Sequence, residues 1–185
     1  MTEAPLPTVI VLASGRGERF RASGGSGSKL AALLAGKPVL SHTLAAVQAS
    51  GLPWHLEDAG HPGMGDSIAA AVRRTAHAGG WLILPGDLPL VEPATLRQVA
   101  SALRDGFRAA QPLYRGERGH PVGFAVDCRD ALMALEGNSG AAPVLRALRA
   151  AGQVADIDVD DAGVVTDIDT LDALAHAERL LLSRG

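Results

Sequence analysis

The 185-residue sequence has few aromatic residues, a single cysteine and no excess of positive charge. Phe, Trp and Tyr make up 3% of the residues, too few for the aromatic surface on which proteins stack single-stranded bases. Cys128 is the only cysteine, which excludes an internal disulfide and a metal site built from several cysteines. The formal net charge is −3, whereas general binding of nucleic acid or anionic membranes needs a basic surface. We therefore expect neither nucleic acid nor a membrane as a partner.

Long apolar stretches are also lacking. No run approaches the roughly 18 apolar residues of a membrane-spanning helix. Residues 1–15, MTEAPLPTVIVLASG, carry an acid and two prolines before a short apolar run, unlike a secretory signal, which starts with basic residues. We expect a soluble, cytoplasmic protein. Its length and 47% apolar content suit one domain over residues 1–185 with an aliphatic core.

Strand-like and helix-like segments alternate along most of the chain. Continuous apolar runs at residues 8–13 and 81–84 are typical of strands that are buried on both faces of a parallel sheet. Further strands are predicted at 54–57, 108–113, 121–126 and 154–159, and helices at 38–50, 66–77, 93–105, 128–136, 141–150 and 170–183. The pattern predicts an α/β fold, a single-domain, doubly wound, mostly parallel sheet with helices on both faces. Ligands of such folds bind beyond the carboxyl ends of the strands.

The loop at residues 14–29 is rich in glycine and positive charge. From Arg19 to Leu56 the chain carries Arg19, Arg21, Lys29 and Lys37 but no acidic residue. Glycine lets backbone N–H groups approach phosphate oxygens, and the cations attract a small polyanion. The loop therefore favours binding of a nucleoside triphosphate. On charge alone, a solvated loop whose basic residues serve solubility is the alternative.

Two other glycine-loop motifs do not fit. A P-loop ends in Gly-Lys-Ser/Thr, whereas Lys29 is followed by Leu30. A dinucleotide-binding fingerprint needs a third glycine where Phe20 stands, and an acid about 20 residues later to bind the ribose. No Asp or Glu occurs between Glu18 and Glu57, which also argues against a nicotinamide-dependent redox enzyme.

Five segments, in this order, resemble motifs of the MobA-like nucleotidyltransferases. They are LASGRGERF at 12–20 followed by Lys29, GMGDSIAAAV at 63–72, LPGDLPLV at 84–91, RGERGHPVGF at 115–124 and DIDTLDAL at 167–174. The GHPV and DIDT elements most resemble the branch that includes molybdenum cofactor cytidylyltransferase. The resemblance implies a Rossmann-like NTP-transferase fold and a Mg²⁺-dependent enzyme. Such an enzyme transfers a nucleoside monophosphate from an NTP, with CTP favoured and GTP possible, to a phosphorylated acceptor such as molybdopterin, and releases pyrophosphate.

The same resemblance implies which residues bind the nucleotide. It assigns Arg16, Arg19 and Lys29 to the triphosphate and counts Arg16 and Lys29 as catalytic, with Lys29 expected to stabilise charge at the α-phosphate as the bond breaks. The first glycine segment surrounds the base, sugar and phosphates through the backbone of Leu12, Ala13, Gly15 and Gly17. Ser67 contacts the base or ribose; a role only as a helix cap is the alternative.

Carboxylates for the metal come from two segments. Asp87 follows a buried strand, projects at the carboxyl end of the sheet and is implied to be a catalytic metal ligand; an ordinary turn residue is the alternative. Asp169 aligns best with the second metal position and Asp167 is the fallback, although Asp169 could instead cap the last helix. His120 and Gly119 are implied to face the second substrate, with a structural role for His120 as the alternative. The resemblance also implies contact with a molybdenum enzyme or chaperone.

The sequence departs from the family pattern at three places. The stretch from Phe20 to Lys29 is longer than usual, and only GLPWHLEDAGHP separates the first helix from GMGDS, so one strand and its helix are expected to be missing. At 136–143, EGNSGAAP has Asn138 and Ala142 where the cytidylyltransferase branch has an acid and an arginine, which weakens the case for a pterin acceptor. Alternative functions are therefore transfer to another phosphorylated metabolite, such as a sugar phosphate, and a non-catalytic nucleotide-binding regulatory protein.

Overall fold

Strands and α-helices alternate along the chain in the computed structural model, which describes residues 5–15 and 17–184. The strands of this part of the chain are Thr8–Leu12 (β1), Leu33–Leu34 (β2), Lys37–Pro38 (β3), Trp54–Glu57 (β4), Gly80–Pro85 (β5), Ala109–Tyr114 (β6), Glu117–Arg118 (β7), Val122–Ala125 (β8) and Val154–Asp158 (β9). The α-helices are Glu18–Ala22 (α1), Val39–Ser50 (α2), Met64–Arg74 (α3), Pro93–Arg104 (α4), Arg129–Met133 (α5), Ala142–Ala150 (α6) and Leu171–Ser183 (α7). Short 3₁₀ turns lie at Val126–Cys128, Gly137–Ser139 and Ala162–Val165.

Seven of these strands form one mixed sheet. Its main strands lie in the order β4–β1–β5–β8–β6, with β9 paired to β6, and β7 pairs with the carboxyl-terminal half of β6. β4, β1, β5, β6 and β9 run in one direction, and β7 and β8 run against them. The prediction of a mostly parallel α/β sheet is confirmed. β2 and β3 form a separate antiparallel pair.

The core lies on both faces of the sheet because side chains along a strand alternate between its faces. Val9 and Val11 of β1 pack with apolar residues of β5, α2 and α4 on one face. Ile10 packs with α3, α5 and α6 on the other face. Burial of each such aliphatic side chain contributes about 1.5–3 kcal/mol. The continuous apolar runs of β1 and β5 thus reflect two buried faces.

The carboxyl ends of three parallel strands meet at one edge of the sheet. Leu12, the last residue of β1, pairs with Glu57 of β4 on one side and Pro85 of β5 on the other. The loops that follow these strands therefore begin side by side. This edge carries the site described below.

The structure differs from the sequence predictions at two places and agrees with them at a third. Residues 14–28 were expected to form a loop throughout, but they contain α1, which is anchored by the buried ring of Phe20. α3 begins at Met64 rather than at Asp66 or Ser67. Between α2 and α3 the chain forms only the strand β4, as expected from its shortness. None of the helices in the described ranges is long and apolar enough to span a membrane.

Candidate active site

Lys29 lies between two carboxylates at the carboxyl edge of the sheet. Its Nζ donates hydrogen bonds to Oδ2 of Asp87 over 2.5 Å and to Oδ1 of Asp169 over 2.7 Å. The other oxygen of Asp169 lies 2.7 Å from Nη2 of Arg19. The side chains of Lys29, Asp87 and Asp169 are 14%, 11% and 17% exposed, whereas Arg19 is 79% exposed. The structure thus brings together four residues that the sequence motifs singled out.

Backbone hydrogen bonds hold the two acidic segments next to each other. Asp87 follows β5, and the N–H of the preceding Gly86 donates to the carbonyl oxygen of Leu12 at the end of β1. The N–H of Ile168 donates to the carbonyl oxygen of Asp87 over 3.0 Å. Because Ile168 is fully buried between Asp167 and Asp169, it anchors both carboxylates beside Asp87.

Asp169 does not cap the last helix. The hydroxyl of Thr170 caps α7 by accepting a hydrogen bond from the N–H of Ala173, 3.1 Å away. The capping alternative for Asp169 is therefore wrong. Its carboxylate is left to Lys29 and Arg19 instead.

A third carboxylate, Asp167, completes an acidic group. One oxygen atom each from Asp87, Asp167 and Asp169 lie within 4.8 Å of one another. Burial raises the pKa of Asp167 above its ordinary value, and a hydrogen bond to Asp169 and the negative charges of Asp169 and Asp87 raise it further. Asp167, the fallback metal ligand of the sequence motif, thus lies in the same group as the preferred one.

The cations counteract this repulsion. Burial also raises the pKa of Asp169, but hydrogen bonds from Lys29 and Asp167 and the charges of Lys29 and Arg19 outweigh burial and leave this pKa below its ordinary value. Burial lowers the pKa of Lys29, but the charges and hydrogen bonds of Asp87 and Asp169 outweigh it and raise the pKa. Lys29 is therefore a stable ammonium, and its position marks a space between carboxylates where positive charge is held.

The acidic group fits a hard divalent cation. Carboxylate oxygens are the ligands that Mg²⁺ and Mn²⁺ prefer, and one or two of them with substrate phosphates usually suffice for Mg²⁺. Asp87, Asp167 and Asp169 could supply them, and the Lys29 ammonium lies between two of these carboxylates.

Two adjoining cavities open at this group. The first, of about 260 Å³, has mostly apolar walls and is lined by Leu12, Ser14, Gly15, Lys29, Leu30, His61, Pro62, Gly63, Met64, Ser67, Pro85, Gly86, Asp87 and Asn138. The second, of about 460 Å³, is more polar and is lined by Gly15, Gly17, Glu18, Arg19, Lys29, Asn138 and Asp169. Gly15, Lys29 and Asn138 line both. Of the residues that the motifs assign to a nucleotide, most therefore line one of two connected spaces.

One of the assigned residues lies elsewhere. Ala13 lines neither cavity, and its N–H donates a hydrogen bond to the carbonyl oxygen of Glu57 over 2.9 Å. Arg16, predicted to bind the triphosphate and to be catalytic, lies outside the described residues.

Ser67 lies in the first turn of α3 and lines the first cavity. Its hydroxyl donates to the carbonyl oxygen of Gly63 and lies 3.1 Å from the hydroxyl of Ser14, in the loop after β1. The N-cap of α3 is Gly63, so the capping alternative for Ser67 is wrong. The serine instead joins α3 to the glycine-rich loop at the cavity wall.

Of the two residues predicted for the second substrate, one lines a third cavity and the other is buried. His120 lines a neighbouring cavity of about 270 Å³ that shares Leu12, Met64 and Pro85 with the first. Burial lowers the pKa of His120, against the opposing effect of the Asp87 charge, so the ring favours its neutral form. Gly119 is buried, and a Cβ there would overlap the carbonyl oxygen of Val164. Close packing thus explains this glycine.

Asn138 and His61 also line the cavities, although no sequence motif assigned them to the site. Asn138 lines both cavities because Gly63 lets the 3₁₀ turn Gly137–Ser139 pack directly on the start of α3; a Cβ at Gly63 would overlap the Gly137 carbonyl. His61 lines the first cavity, and the buried Glu57 lies within hydrogen-bonding distance of it. The GHPGMG stretch before α3 was a signal for His61, whereas Asn138 reaches the site only through tertiary packing.

Comparison with protein families identifies one match. A model described as the MobA-like NTP transferase domain matches residues 45–154, more than half of the chain. A comparison with curated proteins finds no match.

Solved structures share the fold over almost the whole chain. A nucleotidyl transferase from Methanothermobacter thermautotroptrophicus, Mth528, is 23% identical, with 97% of this chain and 99% of that chain covered and a TM-score of 0.80. Rv0371c from Mycobacterium tuberculosis H37Rv, in a complex with manganese, is 22% identical, with 96% and 100% covered and a TM-score of 0.73. The molybdopterin-guanine dinucleotide biosynthesis protein A from Archaeoglobus fulgidus is 20% identical, with 95% and 99% covered and a TM-score of 0.62.

Proposed function

Because the chain belongs to the MobA-like NTP transferase family, we propose that it transfers a nucleoside monophosphate from an NTP to a phosphorylated acceptor and releases pyrophosphate. An acceptor phosphate oxygen forms a new bond to the α-phosphorus, and the bond from that phosphorus to the bridging oxygen of the β-phosphate breaks. The product contains a diphosphate link, and pyrophosphate carries away the electron pair. CTP is the favoured donor and GTP is possible.

The position of Lys29 between Asp87 and Asp169 carries this proposal. Lys29 lines both a less polar cavity and a more polar cavity, which suit a base and a triphosphate respectively. Two carboxylates hold the ammonium in place and shield it from water. The cation is therefore already positioned when the triphosphate binds beside it. Lys29 then stabilises negative charge near the α-phosphate.

Nucleotide contacts divide between the two cavities. Leu12, Gly15 and Ser67 border the apolar space for the base and ribose. Gly17 and Arg19 border the polar space, where backbone N–H groups and a guanidinium suit phosphate oxygens. We assign Ala13 and Arg16 to the same nucleotide site from their positions in the first motif.

Asp87 and Asp169 are the proposed ligands of Mg²⁺, and Asp167 completes the group. Carboxylate oxygens within 4.8 Å of one another support this, as does the manganese complex of the similar Rv0371c. When bound, Mg²⁺ would neutralise charge on the triphosphate and polarise its phosphoryl groups. The carboxylates of this chain hold the cation, and Lys29 and Arg19 orient the phosphates.

Molybdopterin is the proposed acceptor. The motifs GHPV and DIDT support it, and so does the likeness to the A. fulgidus protein, which is described as a molybdopterin-guanine dinucleotide biosynthesis protein. We assign His120 and Gly119 to the acceptor, and His120 lines the cavity that shares walls with the nucleotide cavity. Contact with a molybdenum enzyme or chaperone that receives the product would follow.

Residues 1–185 are proposed to act as one transferase domain. The family match covers 45–154, but Lys29 precedes it, and Asp167 and Asp169 follow it. These residues meet at one site in the structure. The site therefore needs the chain on both sides of the matched segment.

A panel of CTP, GTP, ATP and UTP with Mg²⁺ or Mn²⁺ tests the proposal through pyrophosphate release. Each NTP is offered without acceptor, with molybdopterin and with a sugar phosphate. Release with CTP that depends on molybdopterin supports the full proposal, and release with only the sugar phosphate overturns the choice of acceptor. Binding of NTP without release under every condition would favour the regulatory alternative and overturn the enzymatic proposal.

A further inference from the structure

Glu57 is a buried carboxylate that the proposed reaction does not use. It ends β4 and its side chain is 3% exposed. Its Oε2 lies 3.3 Å from Nε2 of His55, and its Oε1 lies 3.2 Å from Nε2 of His61 and 3.3 Å from the N–H of Ala59. Both carboxylate oxygens therefore have hydrogen-bond partners, and each imidazole is held by its Nε2 atom.

The chemistry of Glu57 determines which nitrogen of His61 is free. Burial raises the pKa of Glu57, but the hydrogen bonds from His55, His61 and Ala59 outweigh it and leave the pKa below its ordinary value. The carboxylate is therefore ionised and only accepts hydrogen bonds, so Nε2 of His61 must carry a proton. The other nitrogen, Nδ1, accepts a hydrogen bond when the ring of His61 is neutral and donates one when the ring is protonated, so the proposal below concerns the neutral ring.

His61 borders the nucleobase end of the site. It lines the first cavity, whose walls are mostly apolar, and it does not line the second cavity, where Arg19 and Asp169 lie. On the outer side, His61 lines a surface pocket with Asp66 and Arg73. It therefore forms the wall between the cavity and the surface, beside Ser67 and away from the polar space for the phosphates.

We propose that His61 selects cytosine, with its Nδ1 accepting a hydrogen bond from the exocyclic amino group of the base. Glu57 acts as a positioning residue that fixes the tautomer and the orientation of the ring. Uracil presents a carbonyl oxygen at the same position, and two acceptors facing each other cannot form a hydrogen bond. The site thus discriminates CTP from UTP, which otherwise match closely in shape. This inference rests on the proposed function, because it requires an NTP in the first cavity.

Replacement of His61 tests the inference most directly. The ratio of CTP to UTP in kcat/KM, and the ratio of their dissociation constants from equilibrium titration, are measured for the wild type, His61→Ala and His55→Ala. We expect the wild type to favour CTP about tenfold, as one lost hydrogen bond predicts. His61→Ala should bring both ratios close to one. His55→Ala is the matched control, because His55 contacts Glu57 but does not line the cavity, and it should keep the preference.

Glu57→Gln tests the positioning role. A glutamine amide both donates and accepts, so it no longer fixes the proton on Nε2, and the preference for CTP should fall although His61 is present. Thermal unfolding establishes that each variant folds. If Glu57→Gln does not fold, His61→Ala still tests the inference, because His61 lies at the wall between the first cavity and the surface. An unchanged CTP to UTP ratio in His61→Ala overturns the inference, as does a wild type without preference. A wild type that binds no NTP at all overturns the proposed function itself, so the two failures are distinguishable.

Discussion

The backbone N–H of Ile168 donates a hydrogen bond to the carbonyl oxygen of Asp87 over 3.0 Å. This bond fastens the segment that carries Asp167 and Asp169 to the turn that carries Asp87. Three carboxylates are thereby held close together, which costs free energy unless positive charge lies between them. Lys29 supplies that charge in the structure, and the same arrangement is suited to a metal and a triphosphate.

Lys29→Ala should lower the rate of nucleotidyl transfer by about 10²–10³-fold, because a preorganised cation near the reacting phosphate is lost. Pyrophosphate release at saturating NTP measures the effect. Lys37→Ala is the matched control, since Lys37 is the other lysine of the chain and is exposed on β3. A Lys29→Ala enzyme as active as Lys37→Ala would contradict the role assigned to Lys29.

Asp169→Asn should weaken binding of Mn²⁺ by at least about tenfold, because an anionic ligand is replaced by a neutral one. Titration followed by electron paramagnetic resonance of free Mn²⁺ measures this directly. Asp172→Asn removes the same charge from an exposed position in the first turn of α7 and should leave the affinity unchanged. Equal losses in the two variants would mean that general charge, rather than a specific ligand, attracts the metal.

Much of this site was predictable because the strands and their ends have strong sequence signals. The apolar runs of β1 and β5 placed the glycine-rich loop and Asp87 at the carboxyl edge of a parallel sheet, and this placement is confirmed. The roles of the residues there remain predictions. Asp169 was preferred to Asp167 because it aligns best with the second metal position, and the structure places both in the acidic group.

Other features depend on tertiary contacts that leave little trace in the sequence. α1 is a five-residue helix stabilised by burial of Phe20. It was not predicted because the surrounding residues are mostly small and show no helical periodicity. Gly63, the N-cap of α3, packs closely on the turn at Gly137–Ser139, and that contact joins distant parts of the chain. The same packing brings Asn138 into both cavities.

Gly119→Ala should destabilise the protein by about 1–3 kcal/mol, because the added Cβ would overlap the carbonyl oxygen of Val164. Denaturant unfolding measures the difference. Gly60→Ala is a suitable control, since a Cβ there would meet nothing within 4 Å, and its effect should stay within about 0.5 kcal/mol. If Gly119→Ala were as stable as Gly60→Ala, close packing would not be the reason for this glycine.

Asp156→Asn should lower the stability of the fold at neutral pH, and this loss of stability should be smaller in acid. The hydrogen bond from Arg149, over 2.9 Å, is the main cause that lowers the pKa of Asp156, and Arg118 adds to it against the effect of burial. A carboxylate with a depressed pKa stabilises the fold above its unfolded pKa of about 3.9 and loses this effect as the pH falls through the folded value.

Thermal unfolding of wild type and Asp156→Asn at pH 7, 5 and 3 tests this expectation. The gap between their midpoints should be present at pH 7 and 5 and should narrow toward pH 3. Asp158→Asn, exposed on the same face of β9, should show a smaller gap at pH 7. A gap for Asp156→Asn that widens in acid would contradict the sign of the pKa shift.

The transfer of labelled phosphate from CTP tests the central claim most directly. With CTP labelled at the α-phosphate, molybdopterin and Mg²⁺, the account predicts that the wild type moves the label to the acceptor and that Asp87→Asn does so at least about 10²-fold more slowly. With CTP labelled at the γ-phosphate, the label should leave as pyrophosphate. Transfer of the γ-label to the acceptor, or equal α-label transfer by the wild type and Asp87→Asn, would contradict the account.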